Sequence, residues 1–271
     1  MLSKLLLVGC GKMGEALLTG WLKQGFAPEQ ITVVEPKEKT SETLKNSYGV
    51  KFITSPNIFN SSNRPDVIIF AVKPQIMDEV VQNYNSFNDK ETVYLSIAAG
   101  KNIAYYEKML GAETSIVRAM PNTPASVGRG ITVCCPNVNV SKKQISICED
   151  LMKSVGEVIW LKDETQIDIV TALSGGGPAY VFLLTECLSN AGIGAGLPEK
   201  LAKRLARATV IGSGELLHRS IEDPSTLREN VTSPGGTTAE ALRILMAKDG
   251  WQSLMNDAIM AATKKSRNLN K

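Results

Sequence analysis

Histidine and regularly spaced cysteine, on which many catalytic and metal sites depend, are almost absent from this sequence. The chain of 271 residues has a single histidine, His218. Its five cysteines are an odd number and form no C-x-x-C pair, which argues against a disulfide framework and against a zinc site. A Ser-His-Asp triad and a histidine-ligated metal both lack their residues, so we expect neither a catalytic triad nor a bound metal.

Strong net charge and long apolar runs are missing as well. The formal net charge is +3, and the only basic block is a short one at residues 264–267. A nucleic-acid-binding protein would show a larger basic patch, and a membrane-spanning protein an apolar run of about 20 residues. The first residues resemble a strand rather than a signal peptide. We therefore expect a cytoplasmic protein that binds neither nucleic acid nor a membrane.

A glycine-rich turn near the N-terminus indicates a dinucleotide site. Gly9, Gly11 and Gly14 form the pattern G-x-G-x-x-G between a strand-like apolar run and a helical pattern. Such glycines permit a tight turn, close approach of a pyrophosphate, and close packing of the helix on the strand. The next strand-like run ends in Glu35, about 20 residues after Gly14, where a ribose-binding carboxylate is expected. An incidental glycine-rich turn does not account for these neighbours, so we favour the dinucleotide site.

Alternating strand and helix signals cover residues 1–162, the expected dinucleotide-binding domain. Apolar runs of strand length recur at 67–72, 93–97, 115–119, 130–135 and 157–161. Continuous apolar runs are typical of strands buried on both faces. The repeated units predict an α/β fold with an N-terminal doubly wound (Rossmann) parallel sheet. Ligands of such sheets bind at the carboxyl ends of the strands.

Helical signals alone occupy residues 163–271. Their predicted faces carry many apolar and small side chains, for example Leu183, Leu184, Leu201 and Leu205. A monomeric helical core would account for such faces, and so would a surface covered by a second subunit. We favour the second explanation, a C-terminal all-helical dimerisation domain.

Two glycine-rich breaks interrupt these helical patterns. They read Ser-Gly-Gly-Gly-Pro at 174–178 and Val-Thr-Ser-Pro-Gly-Gly-Thr-Thr at 231–238. Each precedes a predicted helix, so each offers backbone N–H groups, hydroxyls and a positive dipole end to a small carboxylate. The alternative is ordinary capping, in which the hydroxyls bond only their own chain. Two such breaks beside a dinucleotide domain favour an anion pocket.

Strong acids and bases are missing from both breaks, which contain no Lys, His, Asp or Glu. Reduction of an iminium ion requires none, because the substrate brings its own proton and charge. The protein then has to position the hydride donor and acceptor and to exclude water. A hydroxyl such as that of Thr238 would orient a ring nitrogen or relay a proton.

These motifs, with Ala-Val-Lys-Pro at 71–74, Ile-Ala-Ala-Gly at 97–100 and Arg-Ala-Met-Pro-Asn-Thr-Pro at 118–124, resemble those of the pyrroline-5-carboxylate reductases. The resemblance covers essentially the whole chain, and the stretch at 231–238 is that family's own signature. It implies the last step of proline biosynthesis, reduction of L-1-pyrroline-5-carboxylate to L-proline with NADPH or NADH. It also implies a homo-oligomer built from dimers, often a decamer.

The resemblance further implies the residues of the site. Ser233 and Thr238 would be catalytic. The substrate would be bound by Ser174, Gly175, Gly176, Ser233, Gly236, Thr237 and Thr238. The cofactor would be bound by Val8, Gly9, Cys10, Gly11, Lys12, Met13, Gly14, Ala71, Val72, Lys73, Pro74, Ala98, Ala99, Gly100 and Asn122. Glu35, where many members of the family have a small or basic residue, and Lys37 join this set because of their position after the second predicted strand.

The choice between NADPH and NADH stays open at the level of the sequence. Glu35 favours the free ribose hydroxyls of NADH, whereas Lys37 and Lys39 would pair with the 2′-phosphate of NADPH. The resemblance implies a preference for NADPH, so we place NADPH slightly ahead of NADH.

Two rival functions also fit parts of the sequence. A β-hydroxyacid dehydrogenase or an imine reductase has a similar layout, but the hydroxyacid enzymes use a lysine that residues 178–197 lack. A nucleotide-binding regulator without catalysis is the other alternative, which turnover would exclude.

Overall fold

The computed structural model describes residues 4–36, 48–56, 64–87 and 90–269. The chain divides into two compact units. The first runs to Gly175 and takes in the chain from Ala262 onward, and the second is Gly176–Ala261. The segment after residue 163 stays with the first unit because Ile167 is fully buried in one of that unit's two cores.

An eight-stranded sheet forms the centre of the first unit. Its strands are β1 (Leu5–Val8), β2 (Ile31–Val34), β3 (Lys51–Ile53), β4 (Val67–Phe70), β5 (Val93–Ser96), β6 (Ser115–Met120), β7 (Gly130–Pro136) and β8 (Gly156–Trp160). Their spatial order is β3-β2-β1-β4-β5-β6-β7-β8. The order reverses at β1, which lies between β2 and β4, and such a switch point is where nucleotides bind in open α/β sheets.

The sheet is parallel from β3 to β6, as predicted, but the last pair of strands runs the other way. β7 is antiparallel to β6, and β8 is parallel to β7. The connection at 121–129 contains one short 3-10 helix, Thr123–Val127. It is shorter than the roughly dozen residues that a parallel crossover requires. The predicted parallel sheet is therefore confirmed from β1 to β6, and only the direction of β7 and β8 differs from it.

Both faces of the sheet are covered by apolar side chains. Leu5 and Leu7 of β1 point into one core, whereas Leu6 and Val8 point into the other. All four side chains are 3% exposed or less, which explains the unbroken apolar run in the sequence. Within the first core, Trp21 is fully buried and its Nε1 donates to the backbone oxygen of Leu151 at 3.0 Å.

The helices of the first unit are α1 (Lys12–Lys23), α2 (Met77–Val81), α3 (Ile103–Leu110), α4 (Lys142–Lys153) and α5 (Ile167–Val170). α5 continues directly into a π-helix, Thr171–Gly175. Single π-helical turns of this kind occur frequently at functional sites. The polar helix that the sequence suggests at 39–46 lies outside the described residues.

The second unit is helical. It comprises α6 (Gly177–Gly194), α7 (Glu199–Arg219), α8 (Pro224–Asn230), α9 (Thr237–Leu245) and the first part of α10 (Trp251–Leu269). Large apolar side chains of α6 face solvent in the single chain, with Phe182 68% and Leu183 58% exposed. The predicted dimer interface would shield these apolar side chains from water.

One helical segment is longer and more apolar than the sequence analysis expected. Glu164–Gly194 spans 31 residues and includes a window with a mean hydropathy of 1.4, which suffices by length and composition to cross a membrane. Only 17% of that window is buried within the chain. A helix that packs against another subunit in water has the same composition.

Candidate active site

A cavity of about 420 Å³ opens at the carboxyl ends of β1, β2 and β4. This is the switch point of the sheet. Eight residues of the predicted cofactor site line the cavity: Val8, Gly9, Cys10, Gly11, Glu35, Ala71, Val72 and Lys73. Of the other nine residues of the predicted set, Lys37 lies outside the described residues and eight lie outside the cavity lining.

The glycine turn after β1 is held by close backbone packing. Gly9 has φ +88°, and a Cβ on it would lie 2.6 Å from Cγ1 of Val72. A Cβ on Gly14 would lie 2.5 Å from the carbonyl oxygen of Gly9. These two positions exclude any side chain, which explains two of the three glycines.

Gly11 differs from the other two glycines, because a Cβ built on it meets nothing within 4 Å. It is the N-cap of α1 and lines the cavity. The open space above it suits a bound pyrophosphate, which would approach the N–H groups and the positive dipole end of α1. The first turn of that helix contains Lys12 and Met13, which lie beside the cavity rather than in its lining. The residues present therefore fit a dinucleotide.

Glu35 follows β2 and is 9% exposed. Its Oε2 accepts a hydrogen bond from the backbone N–H of Cys10 at 3.3 Å, and its own N–H donates to Ile53 at 3.0 Å. The carboxylate thus tethers the glycine turn to the end of β2. Lys37 and Lys39, the other residues of the cofactor argument, lie outside the described residues.

The Cys10 thiol is neutral in this environment. Burial raises its pKa from 9.0 to about 12, and the carboxylates of Glu15 and Glu35 act in the same direction. A thiol with so high a pKa is a poor nucleophile at neutral pH. Cys10 therefore contributes its backbone to the turn rather than a reactive sulfur.

The sequence reasoning missed about half of the cavity lining. β3 leads into Thr54, Ser55 and Pro56, and the segment around α2 adds further residues. β3 escaped prediction because it is three residues long and partly exposed, so no apolar run marks it. The lining residues outside the predicted set are Val34, Pro36, Thr54, Ser55, Pro56, Ile76, Val80, Asn83 and Tyr84.

Residues 98–100 follow β5 and are placed by packing. The N–H of Ala98 donates to Oγ of Ser96 at 3.2 Å. Gly100 has φ +71°, and a Cβ on it would lie 2.7 Å from Cβ of Leu269. Ala99 and Gly100 thus follow a strand next to β4, but neither they nor Ala98 line the cavity.

Pro74 and Asn122 also lie outside the cavity lining. Pro74 begins a 3-10 helix, Pro74–Ile76, directly after the lining residue Lys73. Asn122 follows β6, where its Oδ1 accepts from the backbone N–H of Ile131 at 2.9 Å. That bond ties the end of β6 to the start of β7.

The first glycine-rich break is the end of the π-helix. Oγ of Ser174 donates to the carbonyl oxygen of Val170 at 3.1 Å, so this hydroxyl is engaged with its own helix. A Cβ on Gly175 would lie 3.7 Å from Sδ of Met120, which puts the π-helix beside the end of β6. Gly176 then leads into α6 as its N-cap.

The second break forms the start of α9. Gly235 has φ +70°, and the N–H of Gly236 donates to the carbonyl oxygen of Ser233 at 3.0 Å. Gly236 is the N-cap, and as a glycine it provides no capping side chain. The turn therefore presents the N–H groups of the first turn of α9 without an internal acceptor.

The hydroxyls of this break divide into two kinds. Oγ1 of Thr232 donates to the carbonyl oxygen of Arg228 at 2.6 Å and is satisfied internally. The exposed hydroxyls of Ser233, Thr237 and Thr238 have no hydrogen-bond partner in the part of the chain that the structure describes. Capping thus explains Thr232 but not these three hydroxyls, which are available to a ligand.

A buried ionic cluster, which the sequence analysis missed, connects β6 with α5. Arg118 is 1% exposed, and its Nη1 lies 2.8 Å from Oε1 of Glu164. Nη2 lies 3.9 Å from Oδ1 of Asp168, which accepts from Oγ of Ser266 at 2.6 Å. An arginine inside an apolar strand was the available signal, since a buried charge needs partners.

Comparison with known proteins gives one consistent family. The model of pyrroline-5-carboxylate reductase dimerisation matches residues 164–269, and that of coenzyme F420-dependent NADP oxidoreductase matches residues 4–100. The pyrroline-5-carboxylate reductase of Haemophilus influenzae is 37% identical over 266 residues, covering 97% of this chain and 96% of the relative. That of Synechocystis is also 37% identical and covers 98% and 97%.

Solved structures agree with this likeness. A pyrroline-5-carboxylate reductase from Coxiella burnetii is 34% identical, covers both chains completely and superimposes with a TM-score of 0.92. The Plasmodium falciparum pyrroline carboxylate reductase, solved with NADP bound, is 34% identical, covers 99% of this chain and 98% of its own, and has a TM-score of 0.84.

Proposed function

The chain belongs to the pyrroline-5-carboxylate reductase family, and we propose that it reduces L-1-pyrroline-5-carboxylate to L-proline with NADPH as the hydride donor. The observation that carries this proposal is the second glycine-rich break, the family signature, with its free hydroxyls of Ser233, Thr237 and Thr238 at the start of α9. Full-length likeness to the curated reductases supports it.

The cofactor would occupy the cavity at the switch point. The pyrophosphate would lie over Gly11, and the ribose next to the adenine would lie near Glu35 and Ser55. The nicotinamide end would lie towards Ala98, Ala99, Gly100 and Asn122. Lys12, Met13, Lys37 and Pro74 complete the proposed cofactor set. When bound, the cofactor supplies a hydride from its nicotinamide ring.

The substrate carboxylate would bind to the N-terminal turn of α9. Ser233, Gly236, Thr237 and Thr238 offer hydroxyls, N–H groups and a helix dipole, which together suit an anion without any lysine or arginine. Ser174, Gly175 and Gly176 would form the opposite wall.

The chemistry needs little from the side chains. The ring nitrogen carries its proton as an iminium ion, so arrival of the hydride at the carbon moves the C=N electron pair onto nitrogen and gives a neutral amine. Thr238, supported by Ser233, would accept a hydrogen bond from the nitrogen and orient the ring.

The assembly is an oligomer formed through the helical dimerisation domain. We propose that residues 163–271 form this domain and hold the substrate, that residues 1–162 hold the cofactor, and that dimers assemble into a decamer. A membrane-free, cytoplasmic location belongs to the same proposal. The exposed apolar side chains of α6 support the dimer.

The decisive test is loss of nicotinamide absorbance with L-1-pyrroline-5-carboxylate, measured with NADPH and NADH side by side. We expect oxidation of both cofactors, with the higher kcat/KM for NADPH. No oxidation by folded protein that binds either cofactor would contradict the proposal.

Glu35→Ser should raise the ratio of kcat/KM with NADPH to kcat/KM with NADH, because it removes a negative charge near the ribose. An unchanged ratio would show that Glu35 has no part in the choice between the two cofactors.

A further inference from the structure

The buried cluster around Arg118 lies at the start of the helical segment that ends in Ser174 and Gly175, and its charged side chains are not among the residues that we propose to bind substrate or cofactor. Arg118 is 1% exposed in β6, and burial of a guanidinium is costly unless carboxylates compensate it. Apolar side chains of similar size in this strand would often be as stable or more so. The charge is therefore poorly explained by stability alone.

The partners of Arg118 belong to one helical segment. Glu164 begins the 3-10 helix Glu164–Gln166, and Asp168 belongs to α5, which follows directly and leads into the π-helix Thr171–Gly175. Arg118 reaches both carboxylates, Glu164 at 2.8 Å and Asp168 at 3.9 Å. A planar guanidinium that contacts two such groups fixes the rotation of the segment about its axis.

The other end of the same segment contacts the same strand. Met120 lies two residues beyond Arg118, and its Sδ is 3.7 Å from a Cβ built on Gly175. β6 thus holds the segment at its start, through charge, and at its end, through packing. Ser174 and Gly175, proposed to face the substrate, occupy that end.

Each carboxylate is also bonded to a further element. Oε1 of Glu164 accepts from the backbone N–H of Ile103, the first residue of α3, at 2.8 Å. Oδ1 of Asp168 accepts from Oγ of Ser266, near the end of α10, at 2.6 Å. The cluster therefore joins four elements of the first unit at one point.

The cluster is not fully hydrogen-bonded. Nε and Nη2 of Arg118 are buried and have no hydrogen-bond partner among the described residues. Nη2 lies 3.9 Å from Oδ1 of Asp168, which accepts a hydrogen bond from Ser266.

From this geometry we infer that Arg118, acting through Glu164 and Asp168, is a positioning residue that sets the orientation of the π-helix and hence the affinity for the substrate. This inference rests on the proposed function for its kinetic consequence. Its structural consequence, the order of residues 171–175, does not depend on that function.

The kinetic test compares Asp168→Asn, Arg118→Lys and Ser266→Ala in the full-length enzyme. Asp168→Asn keeps an acceptor for Ser266 but removes the charge, and Arg118→Lys keeps a charge but not the two-pronged contact. For both variants we expect the KM for L-1-pyrroline-5-carboxylate to rise about tenfold, because Ser174 and Gly175 would be displaced from the substrate. The Kd for NADPH should stay within about twofold of the parent value, because the cofactor is bound elsewhere. Ser266→Ala should give a smaller rise.

The control is Glu149→Gln, which removes the charge of Glu149 from the partly exposed Glu149–Lys153 pair of α4. It should leave KM and Kd unchanged. A substrate KM within about twofold of the parent in both cluster variants would overturn the inference, and so would a rise in the NADPH Kd equal to the rise in KM, because general loosening predicts that pattern.

A second measurement separates this inference from the proposed reaction. Amide hydrogen exchange at residues 171–175 should be about tenfold faster in Asp168→Asn than in the parent, with the exchange of β1 unchanged. Unchanged protection at 171–175 would overturn the inference. Absence of turnover by the parent enzyme would instead contradict the proposed function. Asp168→Asn and Glu164→Gln keep the test valid if Arg118→Lys fails to fold.

Discussion

At the scale of single residues, the glycines of the first turn separate structural from functional constraint. Gly9 is fixed by its positive φ and by Val72, whereas Gly11 has open space above it. A side chain at position 11 therefore leaves the folded chain intact and occupies only the place proposed for the pyrophosphate.

Gly11→Val should weaken cofactor binding at least about tenfold, which corresponds to about 1.4 kcal/mol, with little change in the urea midpoint. Gly9→Ala should instead lower the midpoint, because the new Cβ collides with Val72 in a strained backbone conformation. Fluorescence titration with NADPH and equilibrium unfolding measure the two effects. An unchanged Kd in Gly11→Val would show that the pyrophosphate lies elsewhere.

The Cys10 thiol makes stability dependent on alkaline pH. The ordinary pKa of a cysteine thiol, which applies to an unfolded chain, is 9.0, whereas burial raises the pKa of the Cys10 thiol in the folded chain to about 12. Between these values the unfolded state binds fewer protons than the folded state, so the free energy of unfolding falls as pH rises. This thiol contributes a slope of up to about 1.4 kcal/mol per pH unit.

The measurement is urea unfolding of the cofactor-free protein at several values between about pH 9 and pH 11. Cys10→Ala should have a shallower decline than the parent, by about one proton. Cys187→Ala, which removes the exposed cysteine, should follow the parent curve. Parallel curves for all three proteins would mean that Cys10 ionises equally in the folded and unfolded chains.

At the scale of elements, the start of α9 is where function and capping can be told apart. Thr232 and Thr238 lie on the same break, but only Thr232 has its hydroxyl bonded to the backbone, at Arg228. Thr238→Ala should lower kcat/KM for L-1-pyrroline-5-carboxylate at least about tenfold while the urea midpoint and the NADPH Kd stay constant.

Thr232→Ala is the matched control. It removes an internal hydrogen bond, so it should lower the free energy of unfolding by about 1 kcal/mol. Its kinetic effect should be smaller than that of Thr238→Ala. Equal kinetic effects of the two substitutions would assign Thr238 a role in local structure only.

Some of the strands and helices could be predicted from sequence patterns, and others could not. The unbroken apolar runs identified β1, β4, β5 and β6, because strands buried on both faces need no polar alternation. β3 was missed, since its three residues are partly exposed. The reversal at β7 follows a short connection, and the π-helix continues directly from α5; neither feature leaves a periodic signal in the sequence.

The candidate site was predictable to a similar extent. The glycine turn and the signature at 231–238 carry their chemistry in adjacent residues, so spacing alone indicates them. The cavity is also lined by Thr54, Ser55 and Asn83, which are brought there by the order of the strands in the sheet. The sequence alone does not reveal that order. The cluster of Arg118, Glu164 and Asp168 joins residues about 50 positions apart and needed the fold to be seen.

At the scale of the whole molecule, an apolar groove of about 430 Å³ on the second unit is the surface at which the oligomer interface can be tested. α6 and α10 form it, and its lining residues are Tyr180, Val181, Leu183, Leu184, Cys187, Trp251, Leu254, Met255 and Ala258. Leu183 is 58% exposed in the single chain, which suits a residue covered by a second subunit.

Leu183→Glu should dissociate the oligomer towards the mass of a single chain in sedimentation velocity, because a carboxylate in an apolar interface lacks a partner. Val138→Glu is the control, since Val138 is 97% exposed between β7 and α4. The control should sediment like the parent. An unchanged assembly in Leu183→Glu would place the interface on another face.

The last helix has a consequence for how the polypeptide is made. Residues from Ala262 onward belong to the first compact unit, although the second unit precedes them in the chain. Ser266 supplies the hydrogen bond to Asp168, and Leu269 closes over Gly100. During synthesis the nucleotide-binding unit thus stays incomplete until the final helix has emerged from the ribosome, so its full set of contacts forms only after translation of the second unit.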